Sequence, residues 1–166
     1  KNFIFLHRFN VNGNRQDRLF VADNLGENLQ LLNNNLMISH YCWIDNSTII
    51  GYMRDNDKRD NYLSINVNTR EIKKIKKLEQ FSDGHPSYLD GYIVSDTYPD
   101  KSRMQNLFRY SLVEDRIEFL AEAFHNFRYS NETRCDLHPR FGRTKNEIFF
   151  DSIYSGKRQL YKLNIK

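Results

Sequence analysis

Three short segments each place a histidine beside an aromatic residue or a proline, which makes them the first candidates for a functional site. They are centred on His40, His85 and His138, 45 and then 53 positions apart. A neutral imidazole can accept a proton near pH 7 or bind a metal ion. The sequence therefore predicts acid–base or metal chemistry at positions that recur along the chain.

The second and third of these histidines have a further metal-ligating residue nearby. Asp136 lies two positions before His138, so both side chains point to the same side of an extended strand. Together with His85 they would supply two nitrogens and one oxygen, a set that suits a divalent transition metal. The alternative is that both histidines are structural and form hydrogen bonds at the starts of strands.

Cys135 adds a second version of the same site. In a regular strand its side chain points away from that of Asp136, but a bulge would turn the thiolate inward. Thiolate with histidines, including His125 as a further ligand, favours zinc. We therefore expect His85, Asp136, His138 and Cys135 to bind a divalent ion, manganese or zinc.

Another set of residues could remove a proton next to a carboxylate. His40 is the candidate base, and it should lie beside the metal cluster if the segments are true repeats. Arg15 and Arg18 could each clamp a carboxylate through two hydrogen bonds, and Tyr98 is a candidate acid. The alternatives are that the arginines pair with nearby acidic residues and that Tyr98 packs in the core.

Repeated β-hairpins are the elements that would position these residues. A repeat near 45 residues is typical of a β-propeller, in which each blade is a four-stranded sheet. Matching segments alternate apolar and polar residues with a period of two, as strands do. Arg116–Phe124 is the one helical candidate, but its repeat partner Arg70–Lys77 is β-like, so we predict a strand there.

The predicted blade-like units cover residues 1–37, 38–81, 82–133 and 134–166. The first is irregular and the fourth lacks its outermost strand. Propellers close with four to eight blades, so the four units form either a small closed ring or part of a larger one. We favour part of a larger ring, completed by another chain such as a second copy. The predicted strands are Asn2–Arg8, Arg18–Asp23, Asn28–Asn33, Ser39–Trp43, Thr48–Arg54, Asn61–Asn66, Glu71–Lys76, Ser87–Leu89, Tyr92–Thr97, Asn106–Leu112, Arg116–Ala121, Pro139–Phe141, Glu147–Ser152 and Gln159–Asn164.

Composition narrows the classes of partner. The 166 residues suffice for one domain with a core, and the net charge of +4 is modest. No basic run carries a nucleic-acid reading motif, so we expect no nucleic-acid partner. There is no stretch of about 18 apolar residues, so we expect no membrane span. Aromatic residues make up 14% of the chain, which suits sheet packing and leaves a few to stack on sugars.

Cysteine use and the N-terminal residues bear on the compartment. Cys42 and Cys135 fall in different repeats, so we expect no disulfide between them and favour a reducing compartment. The first residues do not form a secretory signal, which favours the cytoplasm. Because the chain begins with Lys, we expect it to be a fragment of a longer protein.

An ordered set of motifs spanning nearly the whole chain resembles the oligogalacturonate lyase group and related propeller polysaccharide lyases. Each motif is weak alone, and their order and spacing carry the resemblance. They are His7-Arg8-Phe9 with Arg15–Phe20, Ser39-His40-Tyr41-Cys42-Trp43, Asp83-Gly84-His85-Pro86-Ser87, Ser95-Asp96-Thr97-Tyr98-Pro99-Asp100 and Arg134-Cys135-Asp136-Leu137-His138-Pro139.

The resemblance implies a seven-bladed propeller and β-elimination on uronate-containing oligosaccharides. Carried over by position, His40 matches the catalytic base, Arg15 the carboxylate-contacting arginine, and His85 with His138 the metal ligands. Asp136 stands where the family's His-x-His-Pro motif has its first histidine. Ulvan-lyase relatives have a Cys/His zinc site in this region, which keeps Cys135 as a candidate.

The sequence therefore predicts a metal-assisted polysaccharide lyase whose partner is an acidic oligosaccharide or polysaccharide. Within the motifs, Arg18, His7 and Trp43 are the candidate substrate-binding residues. The alternative is a non-catalytic glycan-binding or scaffold propeller. A protein-interaction propeller of the WD type fits less well, because the Trp-Asp dipeptide is absent from the blade ends.

Overall fold

The computed structural model describes residues 2–166 and consists mainly of antiparallel β-sheet. This described part contains fourteen strands, which form four sheets, and two short 3₁₀ helices. Neither of these helices has the length and apolar character needed to cross a membrane. The predicted all-β class is confirmed. The chain divides into two compact units, with the N-terminal unit ending at Glu79 and the C-terminal unit covering Gln80–Lys166.

The N-terminal unit contains two sheets whose strands follow one another in sequence order. The first sheet has three strands and the second has four. A 3₁₀ helix, Lys76–Gln80, follows the last strand. The strands are β1 (Asn2–Val11), β2 (Asn14–Asp23) and β3 (Gln30–Leu36), then β4 (Ile38–Trp43), β5 (Thr48–Arg54), β6 (Asp60–Asn66) and β7 (Ile72–Lys74).

The first hairpin is longer than predicted because of a tight turn at Asn12 and Gly13. Their φ angles are 50° and 81°, and Val11 pairs directly with Asn14. A two-residue turn with positive φ at both positions matches the twist of the flanking strands. The two strands therefore continue up to the turn, whereas the prediction left residues 9–17 outside any strand.

The C-terminal unit also contains two sheets, one of four strands and one of three. The predicted strand over Arg116–Phe124 is confirmed, and the last sheet lacks a fourth strand, as expected. A 3₁₀ helix, Asn131–Thr133, lies between the sheets in sequence. The strands are β8 (Ser87–Leu89), β9 (Tyr92–Asp96), β10 (Met104–Ser111) and β11 (Arg116–Phe124), then β12 (Arg140–Phe141), β13 (Glu147–Ser152) and β14 (Gln159–Asn164).

Several strand boundaries differ from the prediction, and two of these differences have local causes. The strand predicted over Glu71–Lys76 ends at Lys74, because the chain turns into the 3₁₀ helix and buries Leu78 completely. The third strand begins at Gln30 rather than Asn28. Asn28 has a φ of 51° and its amide donates to the Asp23 carboxylate at 2.7 Å, so it belongs to the preceding turn.

Each unit has its own apolar core. In the C-terminal unit the core includes Val94, Leu107, Ala123 and Ile148, and Leu137 is buried among them. Leu137 also accepts a hydrogen bond from the Asp151 backbone at 2.7 Å. Because it is the residue between Asp136 and His138, its burial anchors the segment that carries both candidate ligands. The core of the N-terminal unit is formed by Leu19, Val21, Leu32, Ile38, Ile49, Met53, Leu63, Ile65 and Val67.

Candidate metal centre

Two loops of the C-terminal unit carry the candidate ligands, and each loop leads into the first strand of a sheet. His85 lies two residues before β8, and His138 lies two residues before β12. The strands β8 and β12 contact each other. Two equivalent positions in neighbouring sheets therefore bring together histidines that are far apart in the sequence.

The three predicted ligands converge on one point. One ligand atom each from His85, Asp136 and His138 lies within 4.8 Å of the other two. The two imidazole centroids are 3.8 Å apart, with ring planes at 40°. His85 and Asp136 are buried, whereas His138 is exposed. The cluster is therefore covered on the side of two ligands and open to solvent on the side of the third.

The Asp136 carboxylate contains an acceptor atom without a hydrogen-bond donor. Arg134 donates from Nη2 to Asp136 Oδ2 at 2.8 Å. Its Nε is also 2.7 Å from Oδ1, but this N–H is not directed at the oxygen. Within residues 2–166 no other donor reaches Oδ1, which is buried. The Arg134 cation therefore balances the charge of the carboxylate, while Oδ1 accepts no hydrogen bond. A carboxylate oxygen beside two imidazoles is a ligand set that fits a divalent ion.

Asp96 is a functional candidate that sequence reasoning missed. It ends β9 and is 0% exposed. Its Oδ1 accepts the His85 backbone N–H at 2.7 Å, and its Oδ2 accepts the His138 backbone N–H at 3.1 Å. His85 Nδ1 lies 3.0 and 3.1 Å from the two oxygens. One carboxylate therefore contacts both histidine loops.

The backbone around the cluster is unusually constrained. A Cβ atom added to Gly84 would lie 1.9 Å from the Asp96 carbonyl oxygen, so only glycine fits beside this strand end. His138 has a φ of 42°, in the left-handed region that only a few per cent of residues other than glycine adopt, roughly speaking, with asparagine, aspartate and histidine the most frequent among them. The backbone therefore turns at His138 and brings its side chain close to Asp136. The sequence predicts instead that the two side chains meet because they lie two residues apart on an extended strand.

Tyr98 lies at the same cluster. Its ring meets the His85 ring edge to face at a centroid distance of 5.6 Å, and the Arg134 guanidinium lies 4.3 Å above its face. Burial raises the pKa of the Tyr98 hydroxyl, and the carboxylates of Asp83 and Asp136 raise it further. Tyr98 thus keeps its proton near neutral pH, as a proton donor must.

The structure does not bring Cys135 or His125 into this cluster. Among the residues that the structure describes, the converging group contains neither of them. Cys135 is buried, and its backbone N–H donates to His125 Nε2 at 3.1 Å. His125 Nδ1 contacts the Arg103 guanidinium, so both of its ring nitrogens have protein partners. Cys135 is therefore not among the converging ligands, and the structure favours the imidazole and carboxylate version of the site over the thiolate version.

The predicted carboxylate-binding arginines lie in the N-terminal unit and have local partners. Arg15 Nη2 is 3.4 Å from Asp17 Oδ2, and its side chain is 57% exposed. Arg8 binds the other oxygen of Asp17 at 2.8 Å. Arg18 donates to Asn34 Oδ1 at 2.8 Å. The pairing of Arg15 with Asp17 is the alternative that the sequence left open.

The other predicted residues of this unit are spread over two sheets. Arg18 also lies 4.5 Å above the Phe9 ring, and His7 stacks on the same ring at 5.1 Å. His40 is a half-buried residue of β4, and Trp43 ends that strand and packs against the apolar core. Because these residues belong to a different unit from the metal cluster, their role beside it stays a prediction.

Comparison with known proteins supports the fold. No protein-family model and no curated protein matches the chain. TolB from Acinetobacter baumannii matches with a TM-score of 0.68 at 16% identity, over 89% of this chain and 35% of that one. The chain has a propeller-type fold. A Mycobacterium tuberculosis puromycin-hydrolyzing peptidase matches with a TM-score of 0.58 at 11% identity, over 96% of this chain and 29% of that one.

An oligogalacturonate lyase in complex with manganese matches with a TM-score of 0.49 at 15% identity, over 92% of this chain and 55% of that one. The chain thus spans only part of the length of each of these structures, from 29% to 55%. At these identities the likeness concerns the fold.

Proposed function

We propose that this chain is the metal-binding part of a propeller protein that acts on uronate-containing oligosaccharides. The observation that carries the proposal is the convergence of His85, Asp136 and His138, with a buried Asp136 oxygen that has no hydrogen-bond donor. Two imidazoles and a carboxylate suit a divalent ion such as manganese or zinc. The sequence motifs listed above supply the class of substrate.

The proposed reaction is β-elimination. A divalent ion at this centre would bind the uronate carboxylate and stabilise the negative charge that develops when the neighbouring C5 proton leaves. In this proposal His40 removes that proton, and Arg15 pairs with the carboxylate. The bond between C4 and the glycosidic oxygen then breaks, a C4–C5 double bond forms, and Tyr98 protonates the leaving oxygen.

Metal binding can be tested without knowledge of the substrate. Titration calorimetry with MnCl₂ and with ZnCl₂ should show one ion bound per chain. His85→Ala and His138→Ala should each weaken binding by more than about 100-fold, since changes in the outer shell of a metal site alone cost 10–100-fold. His7→Ala, in the N-terminal unit, is the matched control and should leave affinity unchanged. Binding that survives both substitutions would overturn the proposed centre.

Lyase activity needs a separate measurement on the metal-loaded, full-length protein. Elimination creates an unsaturated uronate, so far-ultraviolet absorbance should rise during incubation with oligogalacturonate. His40→Ala should abolish turnover and retain affinity for the oligosaccharide, because it removes the proposed base and leaves the carboxylate contacts. No rise in absorbance would exclude this substrate while leaving the metal centre standing.

A non-catalytic glycan-binding protein is the second candidate, and exposed aromatic rings favour it. Tyr154 and Phe127 in the C-terminal unit are 70% and 69% exposed, and exposed rings can stack on sugar faces. A pure binder would show oligosaccharide affinity without turnover in both the unaltered protein and the His40→Ala variant. If Tyr154→Ala binds the oligosaccharide more weakly and the unaltered protein shows no turnover, the glycan-binding candidate is favoured over the lyase.

A further inference from the structure

We propose that Asp96 is a positioning residue that assembles the metal centre before an ion binds, by setting the tautomer of His85 and the backbone of His138. This proposal rests on the proposed metal-binding function. Asp96 itself is not part of the converging ligand group among the described residues. Its two oxygens accept N–H groups, which gives it a different task from that of Asp136.

Asp96 contacts the imidazole ring of His85. His85 Nδ1 lies 3.0 Å from Asp96 Oδ1 and 3.1 Å from Oδ2. An ionised carboxylate can only accept hydrogen bonds, so Nδ1 carries a proton, and in the neutral ring the lone pair then lies on Nε2. Metal-binding histidines are commonly fixed in this way by a carboxylate on the opposite nitrogen. Asp96 therefore selects the ligating tautomer of His85.

Asp96 also sets the distance between the loop that carries His85 and the loop that carries His138. The same carboxylate accepts the backbone N–H of His85 at 2.7 Å and that of His138 at 3.1 Å, each on a different oxygen. These loops belong to different sheets of the C-terminal unit. A planar, buried group that holds both backbones fixes how far apart the two imidazoles lie. Such preorganisation favours metal binding, since less order has to be imposed when the ion arrives.

Asp96 also helps to hold the backbone conformation of His138. Its φ of 42° is unfavourable for a histidine, and the following residue is Pro139, which restricts it further. The hydrogen bond from its N–H to Asp96 helps to hold this conformation. On the other loop, Gly84 packs directly on the Asp96 backbone. Both loops are thus built against the same residue, which explains its complete burial.

Asp96→Asn tests the proposal because it keeps the shape of the side chain. An asparagine can still accept one backbone N–H, but its amide would donate to His85 Nδ1 and favour the tautomer protonated at Nε2. Nitrogen-15 NMR of the metal-free protein reports the tautomer directly. We expect Nδ1–H in the unaltered protein and a shift to Nε2–H in the variant, with manganese and zinc affinity lowered about 10–100-fold.

Asp115→Asn is the matched control in the same unit. Asp115 is an exposed turn residue that accepts the Tyr110 hydroxyl at 2.7 Å, so its replacement should change neither the His85 tautomer nor metal affinity. A His85 protonated at Nε2 in the unaltered protein would overturn the proposal, even if the Asn variant fails to fold. An unchanged tautomer and affinity in a folded variant would also overturn it.

The outcome also separates the two proposals. If the tautomer switches in Asp96→Asn but neither the variant nor the unaltered protein binds a metal ion, the positioning role of Asp96 toward His85 is supported and the proposed metal function fails. If metal binds with equal affinity in both proteins, the metal function stands and the role of Asp96 fails.

Discussion

Among the described residues, the most deeply buried carboxylate of the N-terminal unit is Asp17 and that of the C-terminal unit is Asp96, and these two have different kinds of partner. Asp17, 1% exposed, binds Arg8 and Arg15, which lie in the same hairpin. Asp96, 0% exposed, binds His85 and His138, which come from two separate loops. A carboxylate whose partners share its hairpin stabilises that hairpin. A carboxylate that brings together candidate metal ligands from two separate loops organises a candidate site.

The largest expected effect tests the packing of the histidine loop. Gly84→Ala should destabilise the protein by about 3 kcal/mol, because the new Cβ would overlap backbone that cannot move away easily. Metal affinity should fall as well, since Asp96 would be displaced. Urea denaturation gives the free energy of unfolding, and calorimetry gives the affinity.

Gly13→Ala is the corresponding change in the N-terminal hairpin. Gly13 has a φ of 81° and open space around it, so the cost should be about 1 kcal/mol from backbone strain alone. Metal affinity should not change. If Gly84→Ala lowered the free energy of unfolding no more than Gly13→Ala, the close packing of Gly84 on the Asp96 backbone would be contradicted.

The second prediction removes the charge from the carboxylate of the N-terminal unit. Asp17→Asn should destabilise the protein by about 1–2 kcal/mol, because charge-assisted hydrogen bonds from Arg8 and Arg15 are lost. Both arginines are partly exposed and can be hydrated instead. Metal affinity, measured by calorimetry, should stay within error of the unaltered protein. A loss of metal affinity in Asp17→Asn as large as that expected for His85→Ala would contradict the difference between Asp17 and Asp96.

The third prediction compares one arginine from each unit. Arg134→Gln removes a cation that contacts the Asp136 carboxylate, so a divalent ion should bind roughly three- to tenfold more tightly. Arg15→Ala should leave metal affinity unchanged and shift unfolding by about 0.5 kcal/mol or less, as for an exposed ion pair. Weaker metal binding in Arg134→Gln would show that Arg134 holds Asp136 in place.

The smallest expected effect concerns the two cysteines, one in each unit. Burial raises the pKa of the Cys42 thiol to about 12 and also raises that of Cys135. A raised thiol pKa favours the protonated form, so at pH 8 only about one Cys42 in ten thousand is a thiolate. Alkylation by iodoacetamide, followed by mass spectrometry, should be slow at half-buried Cys42, negligible at buried Cys135 and complete at both in urea. If either cysteine of the native protein were labelled as fast as in urea, the burial of its thiol would be contradicted.

Much of the fold could be predicted because residues within or next to each strand define that strand. Strands such as Thr48–Arg54 and Glu147–Ser152 were predicted with their observed bounds, since period-two alternation and turn residues define them. The Asn12-Gly13 dipeptide was a strong hairpin sequence that the prediction overlooked. The early end of β7 was harder to foresee, because it depends on the burial of Leu78 by the folded chain.

The candidate site was predictable only in part. His85 and His138 can be identified because they recur at equivalent positions near the starts of first strands, and Asp136 because it lies two residues before His138. Asp96 and Arg134 lie within the motifs that resemble the lyase group, but nothing in their spacing assigns them a role. The partners of Asp96 are loop residues from two other segments, so no periodicity identifies it. The left-handed backbone of His138 is likewise invisible in the sequence, although it directs the side chain toward Asp136.

Crystallography can show whether a divalent ion binds among His85, Asp136 and His138. Crystals of the protein would be soaked in MnCl₂ and measured with X-rays near the manganese absorption edge. We predict an anomalous difference peak within bonding distance of both imidazoles and the Asp136 carboxylate. Full manganese occupancy elsewhere in the molecule, with no peak at this cluster, would contradict the account.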